Sequence, residues 1–205
     1  MIRNVVFDIG QVLISFEWRL FLERILGGKT AQAVYKATWE NPAWNELDTA
    51  LRPFESITAD FVKAAPEYEE HILTAIRRMG ECAVKMPYTD ELLKLLRANG
   101  KSVYYLSNYF EYLKDANPDA LDFTRNMDGG IFSFEVHCAK PDPRIYRLLC
   151  EKYGIIPQES VFVDDRRENI ACASALGFST VLFVGRESIS DVLAAAECSP
   201  LTETL

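Results

Sequence analysis

The chain has 205 residues, 49% hydrophobic and 25% charged, with a net charge of −8. At about 150 residues per domain this suits one domain with a modest insertion, and the composition excludes extended disorder. The acid excess argues against nucleic acid, whose phosphates call for clustered Lys and Arg, and no apolar run reaches the about 18 residues of a membrane span.

Ile2 to Ile9 is a β-branched, nearly all-apolar run that stops at Gly10, as in a strand buried on both faces of a parallel sheet. Residues 16–85 then change character. Helical patterns run at about 16–26, 30–40, 42–51, 57–65 and 67–79, broken at Gly27-Gly28, Asn41-Pro42, Arg52-Pro53 and Ala65-Pro66, with no strand signal. After Pro87, Thr89 or Asp90 can cap a helix to Ala98, and Ser102–Leu106 reads as a strand. Helices near 109–116 and 118–125 precede a strand at Ile131–Phe134. A helix from Pro143 to Tyr153, a strand at Val161–Val163, a helix from Glu168 to Leu176 and a strand at Thr180–Val184 follow. A last helix near 188–197 precedes a polar tail.

Alternating strands and helices predict an α/β fold, a doubly wound parallel sheet with right-handed crossovers. The all-helical block at 16–85 is too long for one crossover and reads as a cap over the carboxyl ends of the strands, where open α/β sheets bind ligands. The expected division is a core of 1–15 and 86–205 and a helical cap of 16–85.

Polar residues stand just past the strand ends: Asp8; Ser107 and Asn108; Lys140; Asp164 and Asp165. In a parallel sheet these ends share one edge, so residues far apart in sequence converge there. Three carboxylates brought together repel one another unless compensated. A hard cation such as Mg²⁺ compensates them, since it takes oxygen ligands and completes its shell with waters and phosphate. Ser107 and Asn108, at a strand-to-helix turn, suit phosphate oxygens, and Lys140 adds a positive charge.

FDIG, a helical insertion, LSN, KPDPRIY and VFVDDRREN occur in this order, and together they resemble the haloacid dehalogenase superfamily over nearly the whole chain. The DIG start is similar to the sugar-1-phosphate phosphatase branch and to the phosphatase-like domain of epoxide hydrolases. The resemblance implies that Asp8 is the nucleophile, forming an aspartyl-phosphate, and also a Mg²⁺ ligand with the Gly10 carbonyl and Asp165. It implies that Asp164 assists directly or through water. Ser107, Asn108 and Lys140 would hold the phosphoryl group, and Asn169 would orient one of these groups. The expected reaction is Mg²⁺-dependent hydrolysis of a small phosphomonoester, with a sugar phosphate as the best guess.

One departure matters. Most phosphatases of this superfamily carry a second Asp two residues after the nucleophile, as general acid and base. Gly10 stands there and has no side chain to move a proton, a function worth about 10² to 10⁴ in rate. Glu17 is a candidate replacement by position. Two further readings are a 2-haloacid dehalogenase, whose relatives also lack that Asp but use no metal, and a non-catalytic phosphate-binding protein that retains the fold.

Gly27-Gly28-Lys29-Thr30 looks like the end of a P-loop, but Glu23 replaces the first Gly and a helix precedes it. His71 and His137, with no G-x-S-x-G, do not support a Ser-His-Asp hydrolase. Trp18, Trp39, Trp44 and Tyr35 read as cap core. Asp164-Asp165 could also cap a helix and be neutralised by Arg166 and Arg167. The five cysteines, without CxxC spacing, read as small buried hydrophobes in a reduced, cytoplasmic protein, and no signal peptide is seen at the N-terminus.

Overall fold

The computed structural model describes residues 1–198. Its centre is a five-stranded parallel sheet ordered β5-β4-β1-β6-β7. The strands are β1 (Asn4–Phe7), β4 (Ser102–Ser107), β5 (Gly129–Phe132), β6 (Ser160–Asp164) and β7 (Ser179–Leu182). β1 is the middle strand because Val5, Val6 and Phe7 bury completely. Each such side chain contributes about 1.5–3 kcal/mol relative to exposure. Val5 and Phe7 face one apolar layer, while Val6 joins Leu106, Ile131 and Phe162 in the other. The near-continuous hydrophobic run is thus what a strand covered on both faces needs.

Helices α5 (Thr89–Ala98), α6 (Glu111–Ala116), α7 (Ser133–Val136), α8 (Pro143–Tyr153), α9 (Arg167–Ala175) and α10 (Ile189–Ala195) complete the core. The first apolar layer continues without a break into the inserted helices α1 (Trp18–Leu26), α2 (Gly28–Ala37), α3 (Phe54–Ala64) and α4 (Glu69–Arg77). Gly28 opens α2 directly after α1, so the P-loop-like segment is a helix–helix junction. Among the described residues no helix is long and apolar enough to cross a membrane.

Several elements differ from expectation. A short antiparallel pair, β2 (Ile14–Phe16) with β3 (Ala83–Lys85), closes the base of the insertion, where no strand was expected. Three-residue strands are too short to show a period of two, and each is strand only through the other. Pro42–Thr49 and Pro118–Asn126 are 3₁₀ rather than α-helical. The third strand of the core sheet, β5, ends at Phe132, not Phe134, and starts at Gly129. A Cβ at Gly130 would collide with the Tyr105 ring on β4, so the strand needs glycine there. Neither Thr89 nor Asp90 caps α5; Thr89 is already helical and donates its hydroxyl to Leu13 O at 2.7 Å. The last helix spans Ile189–Ala195 after a 3₁₀ turn at Arg186–Ser188, and most of the expected polar tail lies outside the described residues. Cys82, Cys138 and Cys198 are buried as expected, whereas Cys150 and Cys172 are only partly so.

Asn117 ties the insertion to the core. Its Nδ2 donates to Gly80 O at 2.8 Å and Ala83 O at 3.2 Å, while its Oδ1 accepts from Ala120 N. Asn117→Ala strands these backbone groups and is expected to cost about 1–3 kcal/mol. Urea denaturation checks this: the midpoint falls with the slope unchanged, and an unmoved midpoint refutes the tie.

Candidate active site

β1, β4 and β6 end side by side because they pair in register, Asn4 with both Ser102 and Ser160. The chain therefore leaves the sheet at Asp8, Asn108 and Asp165 along one edge. Lys140 arrives from the loop after α7, and its ammonium is fully buried between two carboxylates. It lies 2.9 Å from Asp8 Oδ1 and 2.7 Å from Asp164 Oδ2. Asp8 Oδ1 also accepts from Ile9 N at 2.7 Å, which leaves Oδ2 without a hydrogen bond among the described residues.

Asp164 is saturated. Besides Lys140 it accepts from Arg166 N at 2.8 Å, and Asn169 Nδ2 reaches both of its oxygens at 2.9 and 3.0 Å. It lies beneath the cavity, whereas Asp165 lines it. Asn108 accepts from Lys140 N at 2.8 Å and donates to Lys140 O at 3.0 Å, so much of its amide is engaged in fixing the lysine loop. Ser107 Oγ is buried without a partner and does not line the cavity. Gly10 lines it. Arg166, not the acidic pair, is the N-cap of α9; its guanidinium pairs with Glu168 and also pulls against the upward shift of Asp165.

Two carboxylates and one lysine in a dry place leave a net negative charge. Burial pushes the Asp8 carboxyl up to about 7; Lys140 opposes this and Asp164 adds to it. Burial and the neighbouring Asp164 also raise Asp165. Burial pulls the Lys140 ammonium down, but Asp8 and Asp164 outweigh it and hold it above the usual lysine range. A carboxylate oxygen from each of Asp8, Asp164 and Asp165 lies within 4.8 Å of the other two. Hard oxygen donors and uncompensated negative charge together fit a hard divalent cation.

The insertion closes the site. A cavity of about 340 Å³ runs from Asp8, Lys140 and Asp165 to a wall of Phe16, Trp18, Trp39, Trp44, Tyr109 and Phe110. The three tryptophans pack on one another, with ring centroids 4.8–6.2 Å apart. Read from sequence as core, they line the cavity: Trp18 is buried, Trp44 is partly buried and Trp39 is exposed; Tyr35 stays outside the wall, under Arg19. Glu17 is exposed and does not line the cavity. The cap carboxylate that does is Asp48, which the sequence reading missed along with Gln11, Asn45 and Arg166. No periodicity in the sequence singles it out, because Pro42–Thr49 is 3₁₀ rather than the α-helix expected there. His71 is exposed beside Tyr68, and His137 bonds Thr49 O at 2.8 Å through Nδ1.

Acids gathered at the carboxyl edge of an open parallel sheet are the makings of an enzyme of the doubly wound α/β class. A sequence model of the haloacid dehalogenase-like hydrolases matches residues 2–177, and the chain belongs to this family of hydrolases. It is 33% identical over 95 residues to (S)-2-haloacid dehalogenase 4A of Burkholderia cepacia, covering 46% of this chain and 41% of that protein. It is 24% identical over 191 residues to D-ribitol-5-phosphate phosphatase of Bacteroides thetaiotaomicron, covering 88% and 91%. A mutant HAD family enzyme of that bacterium, solved with magnesium and inorganic phosphate, superposes with a TM-score of 0.68 at 25% identity, covering 88% of this chain and 93% of the other. The chain spans 18% to 59% of the length of the first curated relatives it matches.

Proposed function

We propose that the protein is a Mg²⁺-dependent phosphatase acting on a small phosphorylated metabolite. The observation that carries this reading is the set of three carboxylates with one buried lysine among them, an arrangement left with excess negative charge until a divalent cation enters. Asp8, Asp165 and the Gly10 carbonyl would hold Mg²⁺, with Asp164 behind; when bound it supplies charge neutralisation to phosphoryl oxygens. Saturation of Asp164 by protein donors supports Asp165 as the direct ligand.

The chain's own groups do the rest. Lys140 and the Ile9 N–H hold Asp8 Oδ1 and so aim the other oxygen, Oδ2, at phosphorus. Attack forms an aspartyl-phosphate and expels the leaving oxygen; water then cleaves the acyl phosphate and restores Asp8. Asn169 fixes Asp164, and Asn108 fixes the Lys140 loop, so both act by positioning. Asn108, which lines the cavity, would also offer a donor to the phosphoryl oxygens, whereas Ser107 faces away from it. The cap limits size and keeps bulk water out. The ribitol-phosphate phosphatase, similar over most of both chains, supports a sugar phosphate as substrate. Five unpaired cysteines support a reducing compartment, the cytoplasm.

A second reading, hydrolysis of a 2-haloacid, is favoured by the similarity to the Burkholderia dehalogenase and by Gly10, which brings no acid. Asp165 beside a departing halide weighs against it. Phosphate release from a panel of phosphomonoesters, with Mg²⁺ and with EDTA, tests the first reading. Metal-dependent release by wild type, lost in Asp8→Asn, is the expected result. Halide release from 2-chloropropionate in EDTA, without phosphate release, would put the second in its place. Release of neither would favour a phosphate-binding protein.

A further inference from the structure

The nucleophile's partner position is empty of side chain for a local reason. A Cβ at Gly10 would stand 3.0 Å from Phe16 Cε2, so a side chain there would have to push the phenyl ring of β2 aside. An enzyme that makes an aspartyl-phosphate still has to protonate its leaving oxygen and deprotonate its water. Among the described residues that line the cavity, the carboxylates are Asp8, Asp165 and Asp48. The first two are nucleophile and metal ligand in the reading above. Asp48 is the remaining one, and it reaches the cavity from the inserted segment, opposite the sheet edge that carries the other two.

Its placement is built. Asn41 caps the Pro42–Thr49 turn by accepting from Ala43 N at 3.0 Å. Leu47 is buried in the apolar layer, and Ala50, with φ of +48°, ends the turn in the left-handed region. His137 of the core bonds the carbonyl of Thr49, the residue next to Asp48, and so pins this stretch of the cap to the catalytic half. In 3₁₀ geometry residues three apart share a face, which brings Asn45 to the cavity with Asp48.

Resting on the phosphatase reading, we propose that the Asp48 carboxyl moves the protons that position 10 cannot. As Asp8 attacks and the bond from phosphorus to the leaving oxygen breaks, Asp48 gives its proton to that oxygen. As water attacks the aspartyl-phosphate and the bond from phosphorus to Asp8 breaks, the Asp48 carboxylate takes the water's proton. The cycle converts ester and water to alcohol and phosphate, with Asp48 returned to its starting form. The charged groups that face it are Lys140 and Arg166 as cations and Asp8 and Asp165 as anions. Burial pushes Asp48 up to about 6 against the pull of those two cations. A carboxyl there is found in both protonation states near neutral pH, as an acid–base catalyst requires.

Leaving-group dependence tests this. Asp48→Asn and Asp48→Glu are compared with wild type, in Mg²⁺, on 4-nitrophenyl phosphate and on the alkyl phosphomonoester that wild type hydrolyses fastest. Nitrophenolate leaves without a proton, whereas an alkoxide does not. Asp48→Asn should lower kcat/KM for the alkyl ester by about 10² to 10⁴, and for the nitrophenyl ester by far less. It should also produce a burst of nitrophenolate, because the intermediate now waits for an unactivated water. Asp48→Glu should recover part of the alkyl rate. Equal losses on both esters, or none on the alkyl ester, would overturn the proposal while leaving the phosphatase reading intact. No phosphate release by wild type from any ester would overturn both.

Discussion

Asp8→Asn is expected to give an inactive protein that, without divalent cation, is more stable than wild type at pH 7.5 and equally stable at pH 4. Activity disappears with the nucleophile, by on the order of 10³-fold or more. The stability gain follows from charge. Lys140 faces two carboxylates in wild type and one in the variant, while the amide oxygen can still accept from Ile9 N and Lys140 Nζ. The sign can be worked from the Asp8 carboxyl, which sits at about 7 in the folded protein against 3.8 for the free side chain. Below pH 4 it is neutral in both states and costs nothing. Between about 4 and 7 only the unfolded chain ionises, so wild type loses stability as pH rises, at about 1.4 kcal/mol per pH unit. The full difference is about 4 kcal/mol, reached above pH 7. Urea denaturation in EDTA at pH 4, 5.5 and 7.5 checks it. Parallel curves for the two proteins across that range would show that Asp8 is not held against its own charge.

Lys140→Met is expected to be the most damaging single change at the site. It leaves Asp8 and Asp164 buried with no cation, and breaking a buried pair costs about 3–5 kcal/mol. The lysine also sits 5.6 Å from the centre of the Phe162 ring, a contact that a methionine replaces only in part. Adding Asp8→Asn should recover stability rather than subtract from it, because Asp164 alone keeps Arg166 N and both Asn169 contacts. The cycle of single and double variants reads this as non-additivity, measured by denaturation in EDTA at pH 7.5. Additive losses would mean that the lysine stabilises the fold by packing alone.

How much of this was legible in the sequence depends on whether a residue is placed by the sheet or by the cap. The parallel sheet does much of the work for Asp8, Asn108 and Asp165. Apolar runs identify the strands, parallel pairing aligns their ends, and whatever follows the last apolar residue is brought to one edge. Lys140 is placed by a loop, but Asn108 fixes that loop through its backbone. Ser107 lies on the same strand end and yet turns away from the cavity, because the alternation of a strand puts neighbouring side chains on opposite faces. Asp48 had no comparable ruler. Its position depends on a 3₁₀ turn, on His137 reaching across from the core, and on how far the cap comes down over the sheet. Composition and periodicity carry none of these. The β2–β3 pair was hidden for the same reason, since its two strands meet only after the whole insertion has folded.

The chain contains three tryptophans, and all three line the cavity wall in contact with one another. Tryptophan emission from this protein therefore has one address. It arises in the wall of the cavity that Asp8 and Lys140 also line, in rings whose surroundings change whenever the cavity fills or empties. Nature has in effect labelled the roof of the site and nothing else, so an unmodified sample already carries an optical probe of occupancy.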